Sequence, residues 1–222
     1  VEVSAAAGAA LGGVFGTVAR LRHGKPLHPR GRVYDAVLRR TGSSEPWGAE
    51  WLDAPGEHHA LVRFSRAAGL PRPLPDVLGL ALTFNGPAGD RHDLLLATTG
   101  LRPGARFVLL PRRHLFAVPY GSLLPYRAPR GLVLLAAVPM AAVAGDTTFR
   151  LLAASPVGRW REFATVDIAG HRFPAPDQAI RFDPVRHPLP GLTWPPALSR
   201  VREPAYAVAR AAAPRLGQSR GH

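Results

Sequence analysis

Apolar runs in this chain stay short because proline, glycine and aspartate keep interrupting them. ALVRFS (60–65), GLALTFNG (79–86) and HDLLLATT (92–99) each end at such a residue or a polar neighbour within eight positions. That length suits a strand and falls short of an ordinary helix. The segment NGPAGDR joins the second and third runs with turn-forming residues, which predicts a hairpin. Further along, TFRLLAAS (148–155) and WREFATVDIAG (160–170) flank Pro156 and Gly158 and predict another. RFDP (181–184) reads as a closing strand before the proline-rich HPLPGLTWPP. With 24 prolines and 23 glycines in 222 residues, punctuation of this kind extends over the whole chain.

Three stretches have helical composition: 5–22, 32–41 (RVYDAVLRRT) and 197–213. The order is then helix, helix, strands, an irregular middle, strands, a proline-rich connector and a helix. This predicts an α+β fold with a mainly antiparallel sheet, closed into a β-barrel with flanking helices. Hydrophobic residues make up 46% of the chain, enough to bury one core. No repeat or second-domain boundary is visible. The expected organisation is an apolar lead-in at 1–24, one domain at 25–215 and a tail at 216–222.

The small apolar run from Ala5 to Ala19 lacks a basic leader and is too short and glycine-rich to span a bilayer. GLVLLAAVPMAAVAG (131–145) contains Pro139 and is also too short. No transmembrane span is expected, and the default compartment is the cytoplasm. The chain starts at Val1, which leaves its upstream completeness open, and the sequence does not set the oligomeric state.

The formal charge of +13 invites a nucleic-acid reading. Against it, 27 of the 28 basic residues are arginine, spread along the chain without a dense tract or an aromatic stripe, and Lys25 is the one lysine. GC-rich coding produces that skew without any selection for phosphate binding, so no nucleic-acid partner is expected. The same charge favours an acidic ligand group held in a cleft. Cysteine is absent, which excludes disulfides, zinc–thiolate sites and thiol catalysis. Redox chemistry would therefore require a borrowed cofactor.

Three segments carry candidate chemistry. GKPLHPRG places Lys25 three residues before His28, and Gly31 three after it. LVRFSRAAGLPRPLPDVLGLALTFNG contains Arg63, Ser65, Gly69, Asp76, Gly79 and Ala81. FDPVRHPLPGLTWPPALSRVREPAYAVAR contains Arg202, Tyr206 and Arg210 at i, i+4 and i+8, which share one face if the stretch is helical. Taken alone, such a tyrosine is either a packed side chain beneath a solvated face or a ligand. Pro204 disfavours regular helix at Glu203 and loosens the spacing.

Together, in this order, the three segments resemble the catalase family of haem proteins, in particular its small, single-domain, catalase-like peroxidases. The resemblance covers roughly residues 20–110 and 178–212. It implies haem b as cofactor, Tyr206 as axial ligand to the haem iron and His28 as the distal base. Ser65 would orient the His28 ring, and Arg202 would stabilise the Tyr206 phenolate. Arg63, Lys25 and Arg210 would meet the haem propionates, with Leu27 lining the cofactor beside His28. Gly69 and Gly79 look like positions of backbone shape.

The implied roles agree with the chemistry. A phenol ionises near pH 10, so a neutral-pH phenolate needs ferric iron and a nearby cation. Arginine keeps its charge when partly desolvated. Tyrosinate donates electron density to the iron and favours O–O cleavage. A neutral imidazole can move a proton from one peroxide oxygen to the other. Pro26 and Pro29 flank Leu27–His28 and favour extended backbone there. An arginine such as Arg63, within a strand that otherwise reads apolar, is explained by an anion or by a strand-edge position. The pair His58–His59 tempts a metal reading, but adjacent residues in a strand point to opposite faces, so solvated histidines are expected.

One departure from the family bears on activity. Where catalases carry an asparagine beside the distal histidine, this chain has Ala97, followed by Thr98. The threonine hydroxyl can substitute only if it points to the same side. This departure, with the missing long arm and C-terminal domain, implies a peroxidase using peroxide and a small-molecule reductant, with weak or no catalase activity. Alternatives are a non-catalytic haem-binding or haem-sensing barrel and a lipid-hydroperoxide isomerase on the same scaffold. A haemless basic barrel binding nucleic acid or an acidic partner is the third.

Overall fold

The computed structural model describes residues 31–71, 73–140, 147–168, 180 and 182–195. Their main elements are β1 (Gly31–Arg40), β2 (Gly56–Arg66), β3 (Leu78–Asn85), β4 (Arg91–Thr98), β5 (Tyr120–Gly121), β6 (Tyr126–Ala128), β7 (Gly131–Pro139), β8 (Thr147–Ala154) and β9 (Arg161–Ile168). Helix is confined there to one short turn, α1 (Glu50–Asp53), and a 3-10 turn at Gly104–Phe107. Hydrogen bonding runs β5-β4-β3-β2-β1-β9-β8-β7, and a β5–β7 pairing closes these eight antiparallel strands into a barrel, with β6 added beside β7.

The hairpins fall where the turn residues predict. Gly86 N–H donates to the Asp90 carbonyl at 2.7 Å, and Gly89 takes φ +81° between β3 and β4. Gly158 N–H donates to the Ser155 carbonyl between β8 and β9. The apolar stretch at 131–145 supplies β7, and Pro139 sits at that strand's last position, where a missing N–H is tolerated.

Two elements differ from the sequence expectation. Residues 32–41 lie mostly in strand β1, not in a helix. Arg, Ala and Leu give the segment its helical propensity, but Tyr34, Ala36 and Leu38 are buried at strand period and enter the core. β1 pairs on both sides, with β2 and with β9, so its tertiary neighbours override local preference. RFDP forms no closing strand among its described residues. The Asp183 side chain instead accepts from Val185 N–H at 3.1 Å, and its carbonyl accepts from His187 N–H at 2.8 Å, which turns the chain. The candidate helices 5–22 and 197–213 lie outside the described residues.

Side chains fill the barrel. Phe64 meets Tyr34, Phe116, Tyr120 and Phe149 at ring-centroid distances of 4.8–5.9 Å. A void of about 10 Å³ remains among Val62, Leu80, Leu82, Phe149 and Ile168, room for about one water. Trp51 of α1 packs on Phe84 and Phe163 near one end of the barrel. Gly191, at φ +73°, lies so close to Ala49 that an added Cβ would sit 2.9 Å from the Ala49 Cα, and Leu189 and Leu192 are buried on either side of it. No described helix is long and apolar enough to cross a membrane.

Candidate functional site

Because the interior is full, a sizeable ligand can only lie outside the strands. Strand alternation sends Ala60, Val62 and Phe64 inward and leaves Leu61, Arg63 and Ser65 on the outer face. The two β2 residues singled out by sequence, Arg63 and Ser65, therefore share one surface.

The register around them is unusual in its side chains. Gly31 pairs with Ser65, Ser65 with Gly79, Gly79 with Ala97, Ala97 with Gly121 and Gly121 with Ala136. Six strands thus present one row of small residues on the outer face. Both cross-strand neighbours of Ser65 lack a side chain, and Ser65 itself is only 7% exposed. Arg63 occupies the adjacent row between Val33 and Ala81, both buried although they face away from the core. Its guanidinium leans over Gly31, where an added Cβ would collide with it. An arginine here covers a glycine instead of extending straight outward.

Ala97 faces outward in this row and offers no polar group. Thr98 cannot replace it, because it points to the opposite face. Its hydroxyl donates to the Leu110 carbonyl at 2.7 Å and accepts from Leu78 N–H at 3.1 Å. Thr98 is thus a structural clamp joining the ends of β3 and β4 to the strip 109–112. The next residue, Thr99, returns to the outer face, and its hydroxyl lies where a Gly121 Cβ would be. Sequence reasoning passed over Thr99; strand alternation from Ala97 is the signal that finds it.

The remaining motif residues of this region have structural work. Asp76, 4% exposed, accepts from Ala68 N–H and Leu70 N–H, each at 3.1 Å, and so shapes the loop after β2. Gly69 takes φ +66°, a conformation suited to glycine. Beside Arg63, one row along the outer face, a groove of about 210 Å³ is lined by Asp35, His59, Leu61, Thr83 and Asn85. His59 is exposed there, whereas His58 stacks near Phe84 and its Nδ1 donates to the Asn85 carbonyl at 3.0 Å. Burial, then the nearby Arg40 charge, holds the His58 pKa below its ordinary value. No cluster of three potential metal ligands occurs among the described residues.

The segment FDPVRHPLPGL docks at the other end of β4. Asp93, fully buried, accepts from Asp183 N–H at 2.7 Å and from Arg91 Nε at 2.9 Å. His92 bridges the Pro188 carbonyl at 2.6 Å and the Asp90 carboxylate at 2.7 Å. Two residues past its end, Trp194 packs against Tyr126, ring centroids 4.1 Å apart. Lys25, Leu27, His28, Arg202, Tyr206 and Arg210 lie outside the described residues. The structure therefore brings together Arg63, Ser65 and Ala97 of the sequence-derived set.

A second feature missed by sequence is Arg106, 4% exposed in the 3-10 turn. Its guanidinium donates to the carbonyls of Leu101, Ser155 and Gly158 at 3.0, 2.7 and 2.6 Å, and it stacks 4.5 Å from the Trp160 ring centroid. It staples the loop 101–107 to the β8–β9 hairpin.

No family model and no curated protein matches this sequence. Among solved structures, the fold is similar to that of a fungal catalase, with a TM-score of 0.53 and 9% identity over 81% of this chain. The match covers 58% of that catalase's chain, and at this identity it establishes a likeness of fold.

Proposed function

We propose that this protein is a haem-dependent peroxidase that reduces hydrogen peroxide or organic hydroperoxides at the expense of a small-molecule reductant, with weak or no catalase activity. The observation that carries this reading is the placement of Ser65 within, and Arg63 beside, a row of small residues on the outer face of a catalase-like barrel. The described residues fit a flat, anionic cofactor. Gly79 and Ala97 carry little side chain, the Thr99 hydroxyl fills the place beside Gly121, and Arg63, folded over Gly31, supplies a cation whose position depends on a glycine.

Haem b bound at this face would supply the iron at which the peroxide O–O bond breaks. The chain's own residues hold and protonate. Tyr206 would hold the iron, with Arg202 stabilising its phenolate. His28 would serve as the base that moves a proton between the peroxide oxygens, with Ser65 orienting its imidazole. Arg63, Lys25 and Arg210 would neutralise the propionates, and Leu27 would line the cofactor beside His28. With Ala97 outward and the Thr98 hydroxyl held by Leu110 and Leu78, no amide or threonine at these two positions holds a second peroxide. That favours oxidation of an organic donor over release of oxygen.

The test is reconstitution with haem, followed by absorption spectra of the wild type and Tyr206→Phe and by assays of donor oxidation and oxygen release. The account expects a tyrosinate-ligated ferric spectrum that the variant loses, and donor oxidation far above oxygen release. An unchanged variant spectrum removes Tyr206 from the scheme. Oxygen release at the rate of a large catalase overturns the peroxidase assignment. Bound haem without donor oxidation leaves the haem-binding barrel. Isomerised fatty-acid hydroperoxide formed without any donor identifies the isomerase.

A further inference from the structure

The loop between β2 and β3 is built unlike the rest of the surface. The loop reads Ala-Ala-Gly-Leu-Pro-Arg-Pro-Leu-Pro from 67 to 75, apolar but for Arg72, and its described residues from Ala68 onward are exposed. Leu70 and Leu74 are 41% and 49% exposed, so the loop holds its largest side chains out in water.

Part of its backbone, by contrast, is tied from within. Ala67 N–H donates to the Val77 carbonyl at 2.9 Å and Leu74 N–H to the Pro71 carbonyl at 3.0 Å. Ala68 and Leu70 N–H groups go to the buried Asp76 carboxylate, and Pro71, Pro73 and Pro75 have no N–H. On the acceptor side, Arg66 donates to the carbonyls of Leu70 and Leu74 at 3.0 and 2.5 Å, so the two leucines bracket one guanidinium. Arg66 in turn lies 3.7 Å from Asp76. A loop that holds two leucines outside and ties part of its backbone inside suits an interface, where its remaining polar groups stay hydrated.

The surroundings are basic. Asp76 and Arg112 exchange backbone hydrogen bonds at 2.9 and 2.8 Å, which sets the loop beside the strip PRRH at 111–114. Arg113 and His114 of that strip are exposed. The sequence has no acidic residue between Asp93 and Asp146, and Asp76 is buried and engaged.

We propose that this loop docks the protein on an anionic lipid surface, with Leu70 and Leu74 entering the acyl boundary and the adjoining cations facing the headgroups. Charge complementarity argues for the anionic headgroups. Nucleic acid would leave the leucines unused. A protein partner needs about 800 Å² of its surface covered, whereas a membrane interface takes up a narrow loop. The proposal does not depend on haem.

The experiment is co-sedimentation of the full chain with vesicles of phosphatidylcholine alone or with phosphatidylserine added. The account expects binding only to the mixed vesicles, reduced about tenfold or more in Leu70→Ser/Leu74→Ser and about fivefold in Arg113→Glu. Arg130→Glu, an exposed site on the β6–β7 turn, should bind as the wild type does. Unchanged circular dichroism and melting of the exposed-site variants exclude misfolding. Absence of binding to mixed vesicles overturns the proposal. So does binding that survives loss of both leucines, or that responds equally to charge reversal at Arg130 and Arg113.

Discussion

The outer face of the barrel changes character along β1. Where β1 begins, the row from Gly31 to Ala136 carries little beyond a glycine or alanine side chain, and Arg63 lies across it. Toward the other end, Arg39 pairs with Glu57 of β2 and Asp167 of β9, and Thr148 donates to Asp167 at 2.7 Å. The first region is low and largely buried; the second is charged and wet, with Arg39 half exposed and Glu57 more so. Cations serve opposite ends in the two places. Exposed pairs on a sheet confer solubility and little stability, whereas a small-residue surface with an arginine over a glycine suits an anionic ligand.

Substitutions should therefore separate the regions. The largest expected loss of stability is at Arg106, where removal takes the guanidinium donor from the Pro156 and Gly158 carbonyls, one of two donors from those of Leu101 and Ser155, and the stacking on Trp160. Arg106→Ala should destabilise by about 3 kcal/mol, read from chemical denaturation. Next is Thr98→Val, which removes one bond to Leu78 N–H and one to the Leu110 carbonyl and should cost about 1–2 kcal/mol. It should leave the ratio of donor oxidation to oxygen release unchanged, because the hydroxyl faces away from Ala97. A Thr98→Val variant with an altered ratio would break the contrast between the two faces of β4.

Gly31→Val acts on binding more than on folding. The new side chain displaces the Arg63 guanidinium, a flexible group, and should weaken haem affinity about tenfold, measured by titration. Arg39→Ala should leave the melting temperature indistinguishable from wild type at moderate salt. The smallest effect concerns His58, whose folded pKa is lowered by burial and by Arg40. The unfolded chain then binds a proton that the folded chain refuses, so stability falls as pH drops below about 6.5. His58→Gln should flatten that dependence in melts between pH 7 and 5.

The strands from β2 to β4 and the hairpin β8–β9 were legible because proline, glycine and aspartate bounded runs of strand length. β1 was not, since Arg, Ala and Leu suit a helix and only its neighbours β2 and β9 make it a strand. Arg63 and Ser65 could be placed on one face from alternation alone. The row of small residues could not, because it exists only in the pairing of six strands. Arg106 was hidden for a related reason: its partners are backbone carbonyls, and those of Ser155 and Gly158 stand about fifty residues away. Ala97 and Thr98 could be named from sequence, but the direction of the hydroxyl required the register of β4.

The most direct test of the central claim is a haem titration of wild type and Arg63→Glu, followed by Soret absorbance and by the melting temperature of each apo-protein. The account predicts one haem per chain for the wild type, and a large loss of affinity in the variant without a matching loss of apo-protein stability. A wild type that takes up no haem, or a variant that binds haem as tightly, would contradict a porphyrin seated on this face.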